Sequence, residues 1–250
     1  MEAMDLIQLS ILSGGLFLLA TVSGMVGLGV AFAAIPFLGF FLPDLVNQIQ
    51  PLSLLLNGIT ALFATVGFAT SGFIDWKKAL ILTVVTTLMA PVGAILVYYV
   101  NPAYVWYVYL AAVIFMSYRL FRPVREREGK ENFPLALGLA VPISVLSGFL
   151  GVGPGFLLMP SLILVGFEAK LAAGINAFAV TWPSYSALIP HISDAKLDWG
   201  LTAILLIVGA GGAFLGAKIT SRYVPGPRLR QIFGLLIVVM TAYKIYTLLA

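Results

Sequence analysis

The chain has 250 residues, of which 61% are hydrophobic and only 10% are charged, against about 25% charged residues in an ordinary soluble domain. This composition excludes a soluble globular fold, because too few polar residues remain to cover the apolar ones. The absence of cysteine excludes disulfides and thiolate metal sites. The net charge of +4 is better explained by membrane topology than by nucleic-acid binding.

Long apolar runs between the charged residues predict membrane-spanning helices. The first run, residues 6–43, contains 38 residues and would be roughly 57 Å long as one helix. Since that is about twice the thickness of the hydrocarbon core, we expect it to turn back or break near residues 24–29, as a full hairpin or a re-entrant segment. The further predicted spans are 49–70, 79–100, 104–121, 133–166 (again doubled), 171–190, 199–218 and 228–249.

The sequence contains an internal repeat with an offset of about 124 residues. Residues 23–29 read Ser-Gly-Met-Val-Gly-Leu-Gly and precede Pro36, and residues 147–153 read Ser-Gly-Phe-Leu-Gly-Val-Gly and precede Pro160. Three further matched pairs follow in the same order: Asn57 and Asn176, Asp75-Trp76 and Asp198-Trp199, and Gly93-Ala94 and Gly216-Ala217. We therefore predict two homologous repeats, 1–122 and 133–250, joined by a basic linker at 123–132.

The distribution of basic residues predicts the orientation of the two repeats. Five passes in each repeat, with the doubled runs counted as two, give ten passes and an inverted second repeat. If the loop 118–132 is cytoplasmic, 12 of the 14 basic residues lie on that side, as the positive-inside rule requires. An eight-pass arrangement with parallel repeats places the basic cluster at 218–230 outside. We therefore predict an all-α transmembrane bundle in a cell membrane, with inverted repeats and both termini outside.

The repeated glycine turns are the first candidates for a solute site. Inverted-repeat transporters bind solutes near the bilayer midplane, where the N-termini of broken helices favour an anion. Glycine allows the backbone to turn tightly and approach a ligand. The alternative, that these glycines only permit close helix packing, stays open. A phosphate loop is disfavoured because neither turn continues with Lys and Ser or Thr. The candidate glycines are Gly27, Gly29, Gly151, Gly153 and Gly155.

Polar and helix-breaking residues in the apolar runs complete the candidate site. Asn57 and Asn176 each follow a glycine turn, and we expect their amides to donate hydrogen bonds to an oxyanion; an interhelical hydrogen bond is the alternative. Thr181 is a further substrate-binding candidate. His191, the single histidine, is a candidate proton site or gate, although an interfacial histidine is more often just solvated. The candidate positions for gating or helix breaks are Pro36, Pro160, Pro183 and His191.

Groups that the sequence lacks narrow the function. No acidic residue lies deep within a predicted span, which disfavours a cation transporter built on a buried carboxylate. The residue patterns of intramembrane proteases are absent, so we expect no enzyme activity, and we expect neither a metal nor a cofactor. These observations favour a small anion as the solute.

The paired Ser-Gly-x-x-Gly-x-Gly turns with their downstream prolines, the asparagine pair and the central basic loop resemble the TauE/SafE family of sulfite and organosulfonate exporters. The resemblance extends over about residues 11–248. It implies transport of sulfite, sulfonates or related small anions across the cytoplasmic membrane, commonly outward.

These arguments lead to one expected function and two alternatives. We expect a secondary transporter for a small sulfur-containing anion, in which the two repeats alternate access to a site formed by the glycine turns and the asparagines. A passive anion channel and a membrane subunit without transport activity are the alternatives. Coupling to H⁺ or another ion and assembly as a homodimer stay open.

Overall fold

The computed structural model describes residues 6–96, 131–150 and 152–229, together with positions 99, 111, 231, 232 and 235. These residues form helices and connecting turns, with no strand among them. The helices are α1 (Leu6–Met25), α2 (Ala31–Leu38), a π-helix (Leu45–Ile49), α3 (Gln50–Ala69), α4 (Trp76–Leu96), α5 (Phe133–Leu150), α6 (Gly155–Leu164), α7 (Ala169–Leu188), a 3₁₀ helix (Ile189–Asp194) and α8 (Trp199–Tyr223).

Four helical segments in this part of the chain are long and apolar enough to cross a membrane: Leu6–Met25, Asn47–Ala69, Trp76–Leu96 and Trp199–Tyr223. Their burial differs: of the 18 most apolar consecutive residues in each segment, 67% are buried in Asn47–Ala69 and 22% in Leu6–Met25. Segment 47–69, which includes α3, is therefore central, and α1 is the least buried of the four. The predicted spans 104–121 and 228–249 fall almost entirely outside the described residues, as does most of the linker 123–132.

Each of the two doubled runs consists of a longer helix and a short one. α2 has 8 residues and α6 has 10, which gives lengths of about 12 and 15 Å. Neither helix is long enough to cross a hydrocarbon core of about 30 Å. The break predicted near residues 24–29 is present, but no second full-length helix follows it. The count of ten passes stays a prediction.

The helices of each repeat pack mainly against helices of the other repeat. α1 of the first repeat packs against α8 of the second, while its counterpart α5 packs against α4 of the first. α3 and α7, which are also counterparts, pack against each other, and each also contacts a long helix of the other repeat, α8 or α4. Equivalent elements therefore make equivalent contacts, although the repeats are not separate bodies.

Small residues allow the helices of the two repeats to pack this closely. A Cβ atom on Gly24 would overlap the Ala213 carbonyl oxygen, and a Cβ atom on the equivalent Gly148 would overlap that of Ala90. Close approach of backbones at small residues is a common basis of helix association in membranes. The other crossing points repeat in the same way, between Gly93 and Val145 and between Gly216 and Thr21.

Candidate functional site

The turn after α1 depends on two glycines with left-handed backbone conformations. Gly27 has a φ of 66° and Gly29 a φ of 70°, which other residues adopt only with strain. The Ser23 carbonyl closes the turn by accepting a hydrogen bond from the Leu28 N–H at 3.1 Å.

In the second repeat the Ser147 carbonyl accepts the equivalent bond from the Val152 N–H, also at 3.1 Å. Both turns are therefore closed in the same way. Gly151, the predicted counterpart of Gly27, lies outside the described residues.

Asn57, in α3, holds the start of α2. Its Oδ1 accepts a hydrogen bond from the Ala31 N–H at 2.9 Å, and Thr60 Oγ1 accepts one from the Val30 N–H at 3.1 Å. Such N–H groups have no partner within their own helix. Asn57 Nδ2 donates to Ser184 Oγ of α7 at 2.8 Å. One buried amide thus connects α2, α3 and α7.

Asn176, in α7, makes a different set of contacts. Its Nδ2 donates to the Gly27 carbonyl at 2.7 Å, so it holds the turn of the other repeat. Its Oδ1 is buried and has no hydrogen-bond partner among the described residues. A buried polar atom without a partner costs about 1–3 kcal/mol. Both predicted amide donors are occupied by protein groups in this structure.

The two glycine turns meet at Asn57. A Cβ atom on Gly29 would overlap Asn57 Oδ1, and a Cβ atom on Gly153 would overlap Asn57 Nδ2. A Cβ atom on Gly155 would stand 3.0 Å from Asn176 Nδ2. The structure therefore brings both turns and both predicted asparagines into one region, where glycine is required by close approach.

A small cavity lies between the two turns. Its volume is about 10 Å³, at the lower limit for one water molecule. None of the lining residues carries a formal charge, and an anion with three or four heavy atoms would need them to move apart. The lining residues are Ser23, Leu28, Gly29, Phe32, Ala33, Asn57, Gly153 and Phe156.

Two phenylalanines that the sequence reasoning missed stack at this cavity. The rings of Phe32 and Phe156 have centroids 4.1 Å apart and planes 8° from parallel. Each is the second residue of a short helix, α2 or α6. Their signal in the sequence is their identical position, five residues after the middle glycine of each repeated motif.

The electrostatic character of the cavity comes from helix ends. α2 and α6 begin beside it, at Ala31 and Gly155, and a helix N-terminus is equivalent to roughly half a positive charge. Among the described residues that line the cavity, there is no Asp or Glu to oppose this charge. The arrangement therefore favours a small anion over a cation.

The remaining predicted site residues lie elsewhere in the described structure. Thr181 is buried, and its hydroxyl donates to the Ala177 carbonyl of its own helix at 3.0 Å. Pro160 and Pro183 are buried within α6 and α7, and Pro36 falls within α2. Thr181, Pro160 and Pro183 do not line the cavity.

His191 lies in the 3₁₀ helix that follows α7 and does not line the cavity. Burial lowers the pKa of its imidazole below the usual 6.5, and the charge of Asp194 partly opposes that shift. The structure thus favours the neutral form of His191.

The beginnings of α4 and α7 are joined by a reciprocal pair of cation–π contacts, which we call the clasp. Lys78 Nζ lies 5.2 Å from the centroid of the Phe167 ring, and Lys170 Nζ lies 5.1 Å from that of Phe73. Each lysine therefore packs on a phenylalanine of the other repeat. Such contacts contribute about 0.5–1 kcal/mol each at exposed positions.

Acidic residues support one side of the clasp. Lys78 pairs with Asp75 at 3.0 Å and with Glu131. Burial alone would raise the pKa of Asp75, but the hydrogen bonds and charge of Lys78 outweigh it and lower that pKa. Asp75 is therefore charged at neutral pH and holds the lysine in place.

The similarity to known proteins extends over nearly the whole chain. The sequence profile of the family described as sulfite exporter TauE/SafE matches residues 12–244. The chain is similar to a "Probable membrane transporter protein" of Xylella fastidiosa (strain 9a5c), with 24% identity over 247 residues, which cover 94% of this chain and 93% of the relative. A protein with the same description from Xylella fastidiosa (strain Temecula1 / ATCC 700964) is 33% identical over 108 residues, 42% of this chain and 41% of the relative. No solved structure shows a significant match.

Proposed function

The chain belongs to the TauE/SafE family of sulfite exporters, and from this premise we propose that it is a secondary transporter that exports a small sulfur-containing anion such as sulfite or an organosulfonate. The observation that carries the proposal is the start of two short helices, α2 and α6, at one cavity lined by no acidic residue. Two helix N-termini stabilise an anion without the large desolvation cost of a buried lysine or arginine.

The proposed binding site consists of the backbone of the two glycine turns and the two asparagines. The anion would lie between Gly29 and Gly153 after the cavity has widened. The Asn57 amide would then exchange its present partner, Ser184, for the anion, and Asn176, which holds the Gly27 carbonyl, would contact the anion from α7. Gly151 and Gly155 complete the second turn, and Thr181 stays a candidate for a more open state.

Alternating access is supported by the packing of each repeat's helices against those of the other repeat. Because α3 packs against α7 while each contacts a long helix of the other repeat, a small rotation of one repeat changes both sides of the cavity together. The stacked Phe32 and Phe156 close the centre. The clasp holds the beginnings of α4 and α7 together, and we propose that it closes the cytoplasmic end in this state.

The proposed topology has inverted repeats, the loop 118–132 in the cytoplasm and both termini outside. It is supported by the concentration of basic residues on one side, including Lys78 and Lys170 of the clasp. In this topology Lys196, which follows the 3₁₀ helix, is one of the two basic residues that lie outside.

Flux into proteoliposomes tests the proposal. Purified full-length protein should accelerate uptake of radiolabelled sulfite, saturate with concentration, and respond to an imposed pH or ion gradient. Empty liposomes are the control. Non-saturating flux that ignores every gradient would show a passive channel, and neither flux nor a thermal shift with any small anion would show a membrane subunit without transport.

A further inference from the structure

The two repeat-related asparagines are not equivalent in their hydrogen bonding. Both ends of the Asn57 amide are used, by the Ala31 N–H and by Ser184 Oγ. In Asn176 the Nδ2 donates to the Gly27 carbonyl, while Oδ1 has no partner among the described residues. Rotating the amide would not help, because it would place two oxygens 2.7 Å apart. The free atom of Asn176 is therefore a hydrogen-bond acceptor.

The amide that carries this free acceptor lies beside the N-terminus of α6. A Cβ atom on Gly155, the first residue of α6, would stand 3.0 Å from Asn176 Nδ2 and 2.8 Å from the Leu28 carbonyl oxygen. Asn176 is fully buried, so bulk water does not satisfy its Oδ1. A helix N-terminus and a buried amide whose oxygen lacks a donor are therefore neighbours.

These two features set different demands on a ligand. The helix N-terminus stabilises negative charge. A carbonyl oxygen repels a fully deprotonated anion and needs a donor. A single ligand meets both demands if it is an anion that still carries one hydroxyl.

We propose that the site selects a singly protonated oxyanion, such as hydrogensulfite, whose O–H donates to Asn176 Oδ1 while its charged oxygens face the start of α6. This inference rests on the proposed function, because it specifies which form of the anion is carried. Each molecule exported in this form carries one proton and a single negative charge.

Few titratable groups stand near Asn176. The elements packed around it in the described structure, α3, α5, α6 and the turn at Gly27, carry none. α4 contributes Lys77 and Lys78, and α7 contributes Lys170 and Tyr185. The remaining groups lie near the start of α4, where Asp75 and Glu131 pair with Lys78, and at the two ends of α7: Glu168 before it, and His191 and Asp194 in the 3₁₀ helix after it.

Binding of two anions to the full-length protein in nanodiscs tests the proposal. Sulfite exchanges between the singly protonated and deprotonated forms near neutral pH, whereas methanesulfonate keeps one negative charge and carries a methyl group but no hydroxyl. We expect sulfite affinity to fall with rising pH, by about tenfold per pH unit once the deprotonated form dominates. We expect methanesulfonate to bind at least about tenfold more weakly than singly protonated sulfite. Its affinity should not change with pH.

Two variants sharpen this result. In Asn176→Ala the ratio of the two affinities should fall to about one, and because it is a ratio it is insensitive to a general loss of binding. The pH dependence should persist in His191→Gln, which removes the one side chain near α7 that titrates close to neutral pH.

Each other outcome has a definite meaning. Equal affinities for both anions in the unmodified protein, or sulfite affinity that does not change with pH, would overturn this inference and leave the transporter proposal standing. Binding of both anions that requires Na⁺ rather than N-methylglucamine would assign Asn176 Oδ1 to a cation and also overturn it. No binding of either anion would contradict the proposed function itself.

Discussion

Phe32 and Phe156 occupy the same position in the two repeats and stack on each other across the boundary between them, with ring centroids 4.1 Å apart. The contact joins the first turns of α2 and α6 at the cavity. An anion that enters the space between the glycine turns must separate the rings or pass beside them.

The first prediction concerns this aromatic pair. Replacing Phe32 or Phe156 by Leu removes the stack while keeping an apolar side chain, so the barrier at the cavity should fall. We expect anion flux in proteoliposomes to rise several-fold, and the double variant to exceed the single variants little, because each removes the same contact. Phe37→Leu, on α2 but not at the cavity, is the control. Flux unchanged in all three stack variants would exclude a gating role.

The second prediction concerns the glycines that touch Asn57. Gly29→Ala and Gly153→Ala introduce a Cβ that overlaps the amide, and overpacking of this kind costs about 1–3 kcal/mol. We expect a lower melting temperature and weaker anion binding in both.

Gly14→Ala and Gly138→Ala are the matched controls for that pair. These two glycines are also related by the repeat, lie within α1 and α5, and have open space where a Cβ would stand. Each should keep or slightly raise the melting temperature, since Ala is favoured over Gly in a helix by about 0.5–1 kcal/mol. If Gly153→Ala is as stable as Gly138→Ala, the two turns do not meet as described.

The third prediction concerns Asn57 itself. Asn57→Ala leaves the Ala31 N–H without its partner and removes one hydrogen bond of the Ser184 hydroxyl, which still donates to the Val180 carbonyl. Because a buried group that loses its partner costs about 1–3 kcal/mol, thermal unfolding should show a clear loss of stability. In Thr65→Val, by contrast, the lost hydroxyl bonds only to the Ala61 carbonyl of its own helix, so the loss should be small. Comparable losses in the two variants would argue against a special role for Asn57.

The fourth prediction concerns topology and uses the lack of native cysteine. Lys77 and Lys196 are both exposed and lie on opposite sides in the proposed arrangement. In intact cells a membrane-impermeant maleimide should label Lys196→Cys but label Lys77→Cys only after the membrane is permeabilised. Labelling of both from the same side would contradict the proposed orientation.

The fifth prediction concerns His191. Because burial lowers its pKa, its NMR titration should have a midpoint below 6.5, and Asp194→Asn should lower the midpoint further. The unfolded chain then binds a proton more readily than the folded one, so the protein should lose stability as the pH falls through 6.5. His191→Gln should remove that part of the loss. A midpoint at or above 6.5 would contradict this account.

Much of the helical architecture could be predicted from the sequence. The apolar runs predict α3 at 49–70 and α7 at 171–190 within two residues of the observed helices. The excessive length of 6–43, together with its repetition at 133–166, predicts the break at the glycines. These features depend on length and hydrophobicity, which are visible in the chain itself.

The features that could not be predicted depend on contacts between distant segments. Residues 31–38 are as apolar as a full span, and their organisation as a short helix involves capping by Asn57 and Thr60 of α3. Asn57 and Asn176 stand at equivalent positions in the sequence, yet one caps α2 and the other holds the Gly27 carbonyl. The clasp pairs Lys78 with Phe167 of the other repeat, and no spacing along the chain indicates such a pair.

The packing of helices from one repeat against helices of the other has a consequence for biosynthesis. α1 emerges from the ribosome long before α8, the helix that it packs against. Until α8 is inserted, the Gly24 side of α1 faces lipid or the insertion machinery, without the Ala213 backbone that packs against Gly24 in the folded protein. Assembly of the bundle must therefore wait for most of the chain to be inserted, and a chain truncated after the first repeat would lack the partners of both α1 and α4.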